Sequence, residues 1–294
     1  MEKRYSFTVN NFNNIKEELI LKYRISRREY RRLKSNGKIY INNCLASITT
    51  PVKKGDLVEI FIEESTEIFP QCLPLNIIYE DKFLIVLNKD GNTLVHPVHN
   101  EQLNTLANGL VDYFNKKGES FGIHPVNRLD RETSGLVIFA KNSYIHSLLG
   151  RQLEDRQIKR QYLAVVEGIL PKDEGIINLP ILDLPTSKKI EGHGGKEAIT
   201  EYKTLKKYGN YSLLKLNILT GRTHQIRIHL KALGCGILGD SLYHQKSPMI
   251  SRQALHSFSL SFTHPISGER LKFTSKLPGD FKKLLNRLIK GEEE

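Results

Sequence analysis

Cysteine is scarce: Cys44, Cys72 and Cys235 are the three in 294 residues, widely spaced and without a C-x-x-C pair. That excludes a disulfide-stapled scaffold and a zinc-finger pattern, and it fits a reducing compartment. Long apolar runs are also missing. No stretch approaches the roughly 20 residues that span a bilayer, and Met1-Glu2-Lys3-Arg4 leads into polar, Asn-rich sequence rather than a signal-peptide core. The expectation is a cytoplasmic protein without a membrane partner. There is no internal repeat and no low-complexity tract. Acidic residues are the minority, 32 Asp and Glu against 44 Lys and Arg, which leaves a net charge of +12. Such a surface steers phosphates in and gains from counterion release, so nucleic acid is the first partner to consider. Charge alone is equally compatible with a merely basic soluble protein.

With 39% hydrophobic residues the chain is long enough for one large domain plus a small one. In the first 64 residues Ser26 reads as an N-cap and Glu29 completes a capping box. The helix that follows turns Tyr30 and Leu33 toward a core, sets Arg27, Arg28, Arg31 and Arg32 on a basic face, and ends at Gly37. Short strands are expected at Lys38–Ile41 and Leu57–Ile62, beside turn signals at Asn42-Asn43 and Lys54-Gly55-Asp56. A solvated face is the alternative reading of the arginines. Periodicity fades between Glu63 and Asn76, where Pro70 and Pro74 fall, so the linker is placed at residues 65–75 and a larger domain at 76–294. In that domain Phe83–Leu87, Leu136–Ala140, Tyr162–Val166 and Leu213–Leu219 read as strands of one substantial sheet, with a helix over Ser143–Asp155. Gly291–Glu294 reads as a solvated tail.

Two constellations carry chemistry. In Asn127-Arg128-Leu129-Asp130-Arg131-Glu132-Thr133-Ser134-Gly135 a carboxylate stands between two arginines on a loop just before a strand. Guanidinium charge beside Asp130 favours its ionised form, and an ionised carboxylate is a nucleophile. Taken alone, the pattern fits a structural ion pair at least as well. In Thr220-Gly221-Arg222-Thr223-His224-Gln225-Ile226-Arg227-Ile228-His229, Thr223 reads as an N-cap and Gly234 as the stop. His224, Arg227 and Lys231 then share a polar face, while Ile226, Leu230 and Leu233 take the buried one. Such a helix holds a cation rigidly, able to orient a carboxylate or phosphate; as a bare pattern, a solvated basic face explains it too.

Together with Lys89-Asp90-Gly91 through Val95-His96-Pro97 and Arg160-Gln161-Tyr162-Leu163-Ala164, these runs follow one another in a fixed order. Later agreement comes from Gly195-Lys196-Glu197-Ala198 with Glu201-Tyr202, Leu238-Gly239-Asp240, Arg252-Gln253-Ala254-Leu255-His256 and Phe262-Thr263-His264-Pro265. In this the chain resembles the RluA-type RNA pseudouridine synthases over about residues 75 to 283. Residues 12 to 62 or so resemble the S-four RNA-binding domain, through Ile25-Ser26-Arg27, Asn36-Gly37 and Lys54-Gly55-Asp56. The resemblance implies an α+β fold with a mixed, mainly antiparallel central sheet and flanking helices, preceded by a small α/β RNA-binding domain at residues 1–64.

It also implies the isomerisation of uridine to pseudouridine in structured RNA, with Asp130 as the nucleophile, Tyr162 against the target base and Arg227 paired with Asp130. The base is freed from its sugar, turned and rejoined through carbon, and the nucleotide leaves its stack first. Tyr162 offers a face for stacking and a hydroxyl for the final deprotonation. Leu255 is a candidate wall of the pocket. Arg128, Arg131, Arg222, His224 and the basic residues Arg27, Arg28, Arg31 and Arg32 are candidate RNA contacts. The reaction is redox-neutral and adds no water, so no cofactor and no metal are expected. His96-Pro97-Val98-His99 lacks a third ligand, Gly192–Lys196 lacks phosphate-loop spacing, and Ser134 is not in a G-x-S-x-G elbow. Ribosomal RNA is the expected substrate with transfer RNA as the alternative, and no obligate protein partner is inferred.

The chain departs from the family pattern at Asn127, where histidine is common, and at Asp90, where proline is common. Neither touches the nucleophile. Asn127 keeps hydrogen-bonding capacity without charge, and Asp90 relaxes its turn. Two rival readings remain at this level: a non-catalytic RNA-binding factor on the same fold, and a hydrolase that releases free uracil.

Overall fold

A computed structural model describes residues 2–10, 14–22, 27–62, 67–182, 190–192 and 194–291. The N-terminal unit comprises strand β1 (Glu2–Thr8), the short helix α1 (Ile15–Glu17), helix α2 (Arg27–Asn36) and strands β2 (Gly37–Ile41), β3 (Cys44–Ala46) and β4 (Leu57–Ile62). The strands form one antiparallel sheet in the order β1-β4-β2-β3. Asn42 and Asn43 both take left-handed backbone angles, φ 48° and 68°, the geometry that closes a two-residue hairpin and that asparagine tolerates. Alternation in β4 buries Val58 and Ile60, which pack with Leu33 of α2 and Ile39 of β2. The expected helix is present and the chain turns into β2 at Gly37. Arg31 is exposed on it. The Ser26 cap, the side chains of Arg27, Arg28, Glu29 and Arg32, residues 63–66 of the linker region and the tail beyond Gly291 lie outside the described residues.

After residues 67–76, which carry no regular element, the chain builds β5 (Ile77–Glu80), β6 (Leu84–Lys89), α3 (Leu106–Lys116), β7 (His124–Pro125), β8 (Ser134–Ala140), α4 (Ser143–Glu154) and β9 (Lys159–Glu167). Then come β10 (Glu174–Asn178), β11 (Ile181–Leu182), β12 (Ile190–Glu191), β13 (Ile199–Tyr208), β14 (Tyr211–Ile218), α5 (Gln225–Ala232), β15 (Gly236–Ile237), β16 (Leu255–Thr263), β17 (Arg270–Thr274) and α6 (Gly279–Lys290). An 11-stranded sheet runs β10-β13-β14-β9-β16-β8-β6-β5, with β15 on β9, β17 on β16 and β7 on β8. Among its described pairings only β16 with β8 is parallel, so the sheet is mixed and mainly antiparallel, as expected.

The apolar runs that mark β6 and β8 in the sequence are buried on both faces. Residues alternate between two cores. Ile85, Leu87, Val137 and Phe139 join Leu110 and Phe114 of α3 and Phe281 and Leu284 of α6. Leu84, Val86, Leu136 and Ile138 join Ile145 and Leu149 of α4 on the other side. Helices therefore cover both faces of the central strands, and the loop between β7 and β8 is displayed at the start of a central strand on a rigid base. No helix among the described residues is long and apolar enough to cross a membrane.

Candidate active site

The loop Val126–Thr133 is fastened from below before any reactive group is considered. The buried Asn127 side chain accepts from the Ile138 N–H at 2.9 Å and donates to Leu136 O at 3.3 Å, so the amide stitches the loop to β8 on both its hydrogen-bonding edges. Lys89, at the end of β6 and 1% exposed, sends Nζ to the carbonyls of Asp90, Thr93 and Arg131 at 2.7 to 2.8 Å. Burial pulls its ammonium down to about 7, while three carbonyl acceptors match the three N–H groups of the charged form. Arg252 holds the far side, donating to Glu132 O at 2.8 Å and forking onto Asp280 at 2.7 and 3.1 Å.

Arg252 also donates to Ser134 Oγ at 3.2 Å, and that hydroxyl shares a hydrogen bond with His256 Nδ1 at 2.9 Å. Burial, with the Arg252 charge behind it, pushes the His256 imidazole down to about 4, so it is neutral at pH 7. Thr133 Oγ1 accepts from Gln253 at 2.6 Å. Gly135 takes φ 115°, and a Cβ there would lie 2.1 Å from Ser257 O; the small residues after the loop are the price of seating β8 against β16.

Asp130 sits at the tip of this loop with its side chain 24% exposed. Arg227 of α5 donates to it, Nη1 to Oδ2 at 3.1 Å, and His224 Nε2 stands 4.0 Å from Oδ1. Among the described residues neither flanking arginine makes a hydrogen bond to Asp130. Arg131 forks onto Glu101, Nη1 to Oε1 at 3.0 Å, and Arg128 is exposed beside the cleft. On a loop, neighbours in sequence point away from one another, and the true partner of Asp130 comes from a distant helix.

Arg227 is itself buried, contrary to the expected polar face shared with His224 and Lys231. It is 7% exposed, whereas Lys231 faces solvent. Its Nε and Nη2 grip Asp240 at 2.7 Å each, and its guanidinium lies 4.9 Å from the centroid of the Tyr243 ring. Burial alone would raise the Asp240 carboxyl, but the hydrogen bonds and charge of Arg227 outweigh it and hold that group below the usual range. For Arg227 burial pulls the other way, and Asp240 with Asp130 keeps it charged.

Thr223 is not the helix cap. His224 occupies that position with φ 58° and makes no side-chain cap; its Nδ1 lies 2.9 Å from the Tyr243 hydroxyl. Gln225, the first residue of the helix, instead ties down the segment before it, accepting the Arg222 N–H at 3.0 Å and the Thr220 hydroxyl at 2.8 Å while donating to Ile199 O and Thr200 Oγ1. Gly234 follows the helix with φ 79°, as expected for its stop. Arg222 is exposed and donates through Nε to Glu197 O.

A cleft of about 890 Å³ is lined by Arg128, Asp130, Arg131, Arg160, Arg222 and His224 among others. A chamber of about 60 Å³ is walled by Asp130, Tyr162, Ile218, Ile226, Leu255 and Arg227. Tyr162, on β9, is 4% exposed and Leu255, at the start of β16, 3%. Burial pushes the Tyr162 phenol up, against a smaller pull from Arg160 and Ser257. The structure thus gathers Asp130, Tyr162, Arg227 and Leu255, the residues expected together, and adds Ile218, Asp240, Lys89, Arg252 and Gln253, whose roles the sequence reading missed. Several stand inside the motifs already quoted, but their partners are backbone carbonyls or carboxylates far along the chain.

A mixed sheet displaying an Arg-held carboxylate on a loop above an apolar and aromatic chamber defines a class of base-modifying site, and comparison with known proteins agrees. The model for the RNA pseudouridylate synthase family matches residues 83–232. An RNA pseudouridine synthase of Bacillus subtilis is 37% identical over 262 residues, covering 87% of this chain and 84% of that one. The ribosomal large subunit pseudouridine synthase D of Haemophilus influenzae is 36% identical, covering 80% and 78%. The solved structure of human RNA pseudouridylate synthase domain containing 1 superposes with a TM-score of 0.56 at 25% identity, covering 74% of this chain and 87% of that one. The chain belongs to the RluA-type RNA pseudouridine synthases, enzymes that isomerise uridine in RNA.

Proposed function

We propose that this enzyme converts specific uridines of ribosomal RNA to pseudouridine, with Asp130 as the nucleophile toward the sugar of a nucleotide turned out of its stack. One observation carries the reading: a partly exposed carboxylate on the wall of a small pocket that it shares with Tyr162 and Leu255, held by a single nitrogen of an arginine whose other donors are engaged elsewhere. Such a group keeps lone pairs for a reacting carbon. Tyr162 lies against the base, Leu255 closes the apolar side, and Arg227 orients Asp130. With its phenol pushed up by burial, Tyr162 serves first as a stacking face and as a neutral donor or relay. Arg128, Arg131, Arg222 and His224 contact the RNA at the cleft.

Residues 1–64 form an S-four-like RNA-binding domain, with Arg27, Arg28, Arg31 and Arg32 as phosphate contacts, joined through residues 65–75 to the catalytic domain at 76–294. The ribosomal substrate is supported by relatives named for the large ribosomal subunit in Haemophilus influenzae, Pasteurella multocida and Zymomonas mobilis, and the cytoplasm is where that RNA is made. Mapping pseudouridine in ribosomal and transfer RNA from cells lacking the gene tests this. At least one ribosomal position should lose the modification and regain it with the wild-type gene; loss confined to transfer RNA would overturn the substrate assignment.

A further inference from the structure

Three arginines among the described residues are buried: Arg160, Arg227 and Arg252. Two are forked onto carboxylates, Arg227 on Asp240 and Arg252 on Asp280. Arg160 is not. At 5% exposure its one hydrogen bond among the described residues runs from Nη2 to Thr220 O at 3.1 Å, and Nε is fully enclosed without a partner. Burial draws its pKa down, the Tyr162 phenol opposes that only in part, and no carboxylate among the described residues pairs with it. A guanidinium stripped of water without a counter-charge carries a large desolvation penalty, which suggests that the counter-charge comes from outside the protein.

Its position says from where. Arg160 lies two residues before Tyr162 on β9 and therefore on the same side of the strand, and it lines the large cleft. The exposed turn above it contains Gly221, where a Cβ would come within 2.9 Å of Arg160 Nη1; without that side chain the guanidinium reaches the cleft wall. We propose that Arg160 is a phosphate-binding positioning residue: its Nη1, the donor beside Gly221, takes a phosphodiester oxygen of the RNA strand carrying the target uridine, and the RNA supplies the negative charge that the protein withholds. A charged guanidinium N–H makes a strong hydrogen bond to a phosphate oxygen, and a phosphate fixed there sets the depth to which the adjoining nucleotide reaches Tyr162. The inference rests on the reading that RNA enters this cleft.

The test is equilibrium binding of ribosomal RNA, extracted from cells lacking the gene, to the full-length wild type and to Arg160→Met and Arg160→Lys over a series of KCl concentrations. One lost phosphate contact should lower the slope of log affinity against log salt by about 0.7–0.9 in Arg160→Met. Arg160→Lys, which keeps a point charge, should restore it. An unchanged slope in Arg160→Met, or the same loss in both variants, would overturn the proposal and leave Arg160 as a support for the Thr220 carbonyl. If Arg160→Met melts below the assay temperature, Arg160→Gln, whose amide still donates, replaces it. Pseudouridine formation by the wild type is followed in the same samples. If it is absent while the slope behaves as expected, the isomerase reading fails and the phosphate contact stands; the converse leaves the isomerase and removes the contact.

Discussion

Asp240 and Asp130 both meet Arg227, but the protein surrounds them differently. Asp240 is 1% exposed and takes four hydrogen bonds, two from Arg227 and two from the backbone N–H groups of Leu242 and Tyr243. Asp130 is 24% exposed and takes one from Arg227, with an imidazole at 4.0 Å. A carboxylate saturated on every side is a fixture. One held at a single oxygen keeps the other lone pairs available, which is what attack on a sugar carbon demands. Under the proposed mechanism Asp240 is structural and Asp130 reactive, with Arg227 joining them: the strong fork fixes the guanidinium, and its remaining nitrogen holds Asp130.

The largest stability effect expected from this division is at Asp240. Asp240→Asn leaves the buried Arg227 without its main counter-charge and should cost about 3–5 kcal/mol in denaturant unfolding, as breaking a buried pair does, with activity falling along with it. Asp130→Asn should cost about 1 kcal/mol or less, being partly exposed. Equal losses would break the comparison.

A smaller effect sharpens it from the other side of the loop. His256 is charged only below about pH 4 in the folded protein, against an ordinary value near 6.5. Between those values the unfolded chain binds the extra proton, so stability rises with pH there. Its contribution is fully present above about pH 6.5 and is lost as the pH falls toward 4. Unfolding measured over that window should show a slope that His256→Asn flattens; no change in slope would remove His256 from the account of how the loop is held.

The central sheet was legible because β6 and β8 are apolar runs buried on both faces, and because β14 and the first half of β9 alternate between buried and half-buried positions. Asp130 was legible only through the order of its motifs. The physical reading of its neighbours misled, since Arg131 turns to Glu101 and the true partner stands 97 positions away on α5. Thr223 was misread as a cap because the rule counts local side chains, whereas His224 takes the cap position in the left-handed region and no side chain caps the helix. Lys89 and Arg252 went unrecognised because they hold backbone carbonyls, and a carbonyl leaves no mark in the sequence. Asn127 is the reverse case: it stood out as a departure, and its two bonds to β8 need an amide's donor and acceptor but no charge.

The most direct measurement is single-turnover pseudouridine formation by purified wild-type and Asp130→Asn protein on RNA from cells lacking the gene, with RNA binding and unfolding followed on the same preparations. The account predicts that Asp130→Asn binds RNA and stays folded but falls by at least about three orders of magnitude in rate, as removal of a nucleophile does. A folded, RNA-binding Asp130→Asn enzyme that isomerises uridine at the wild-type rate would contradict it.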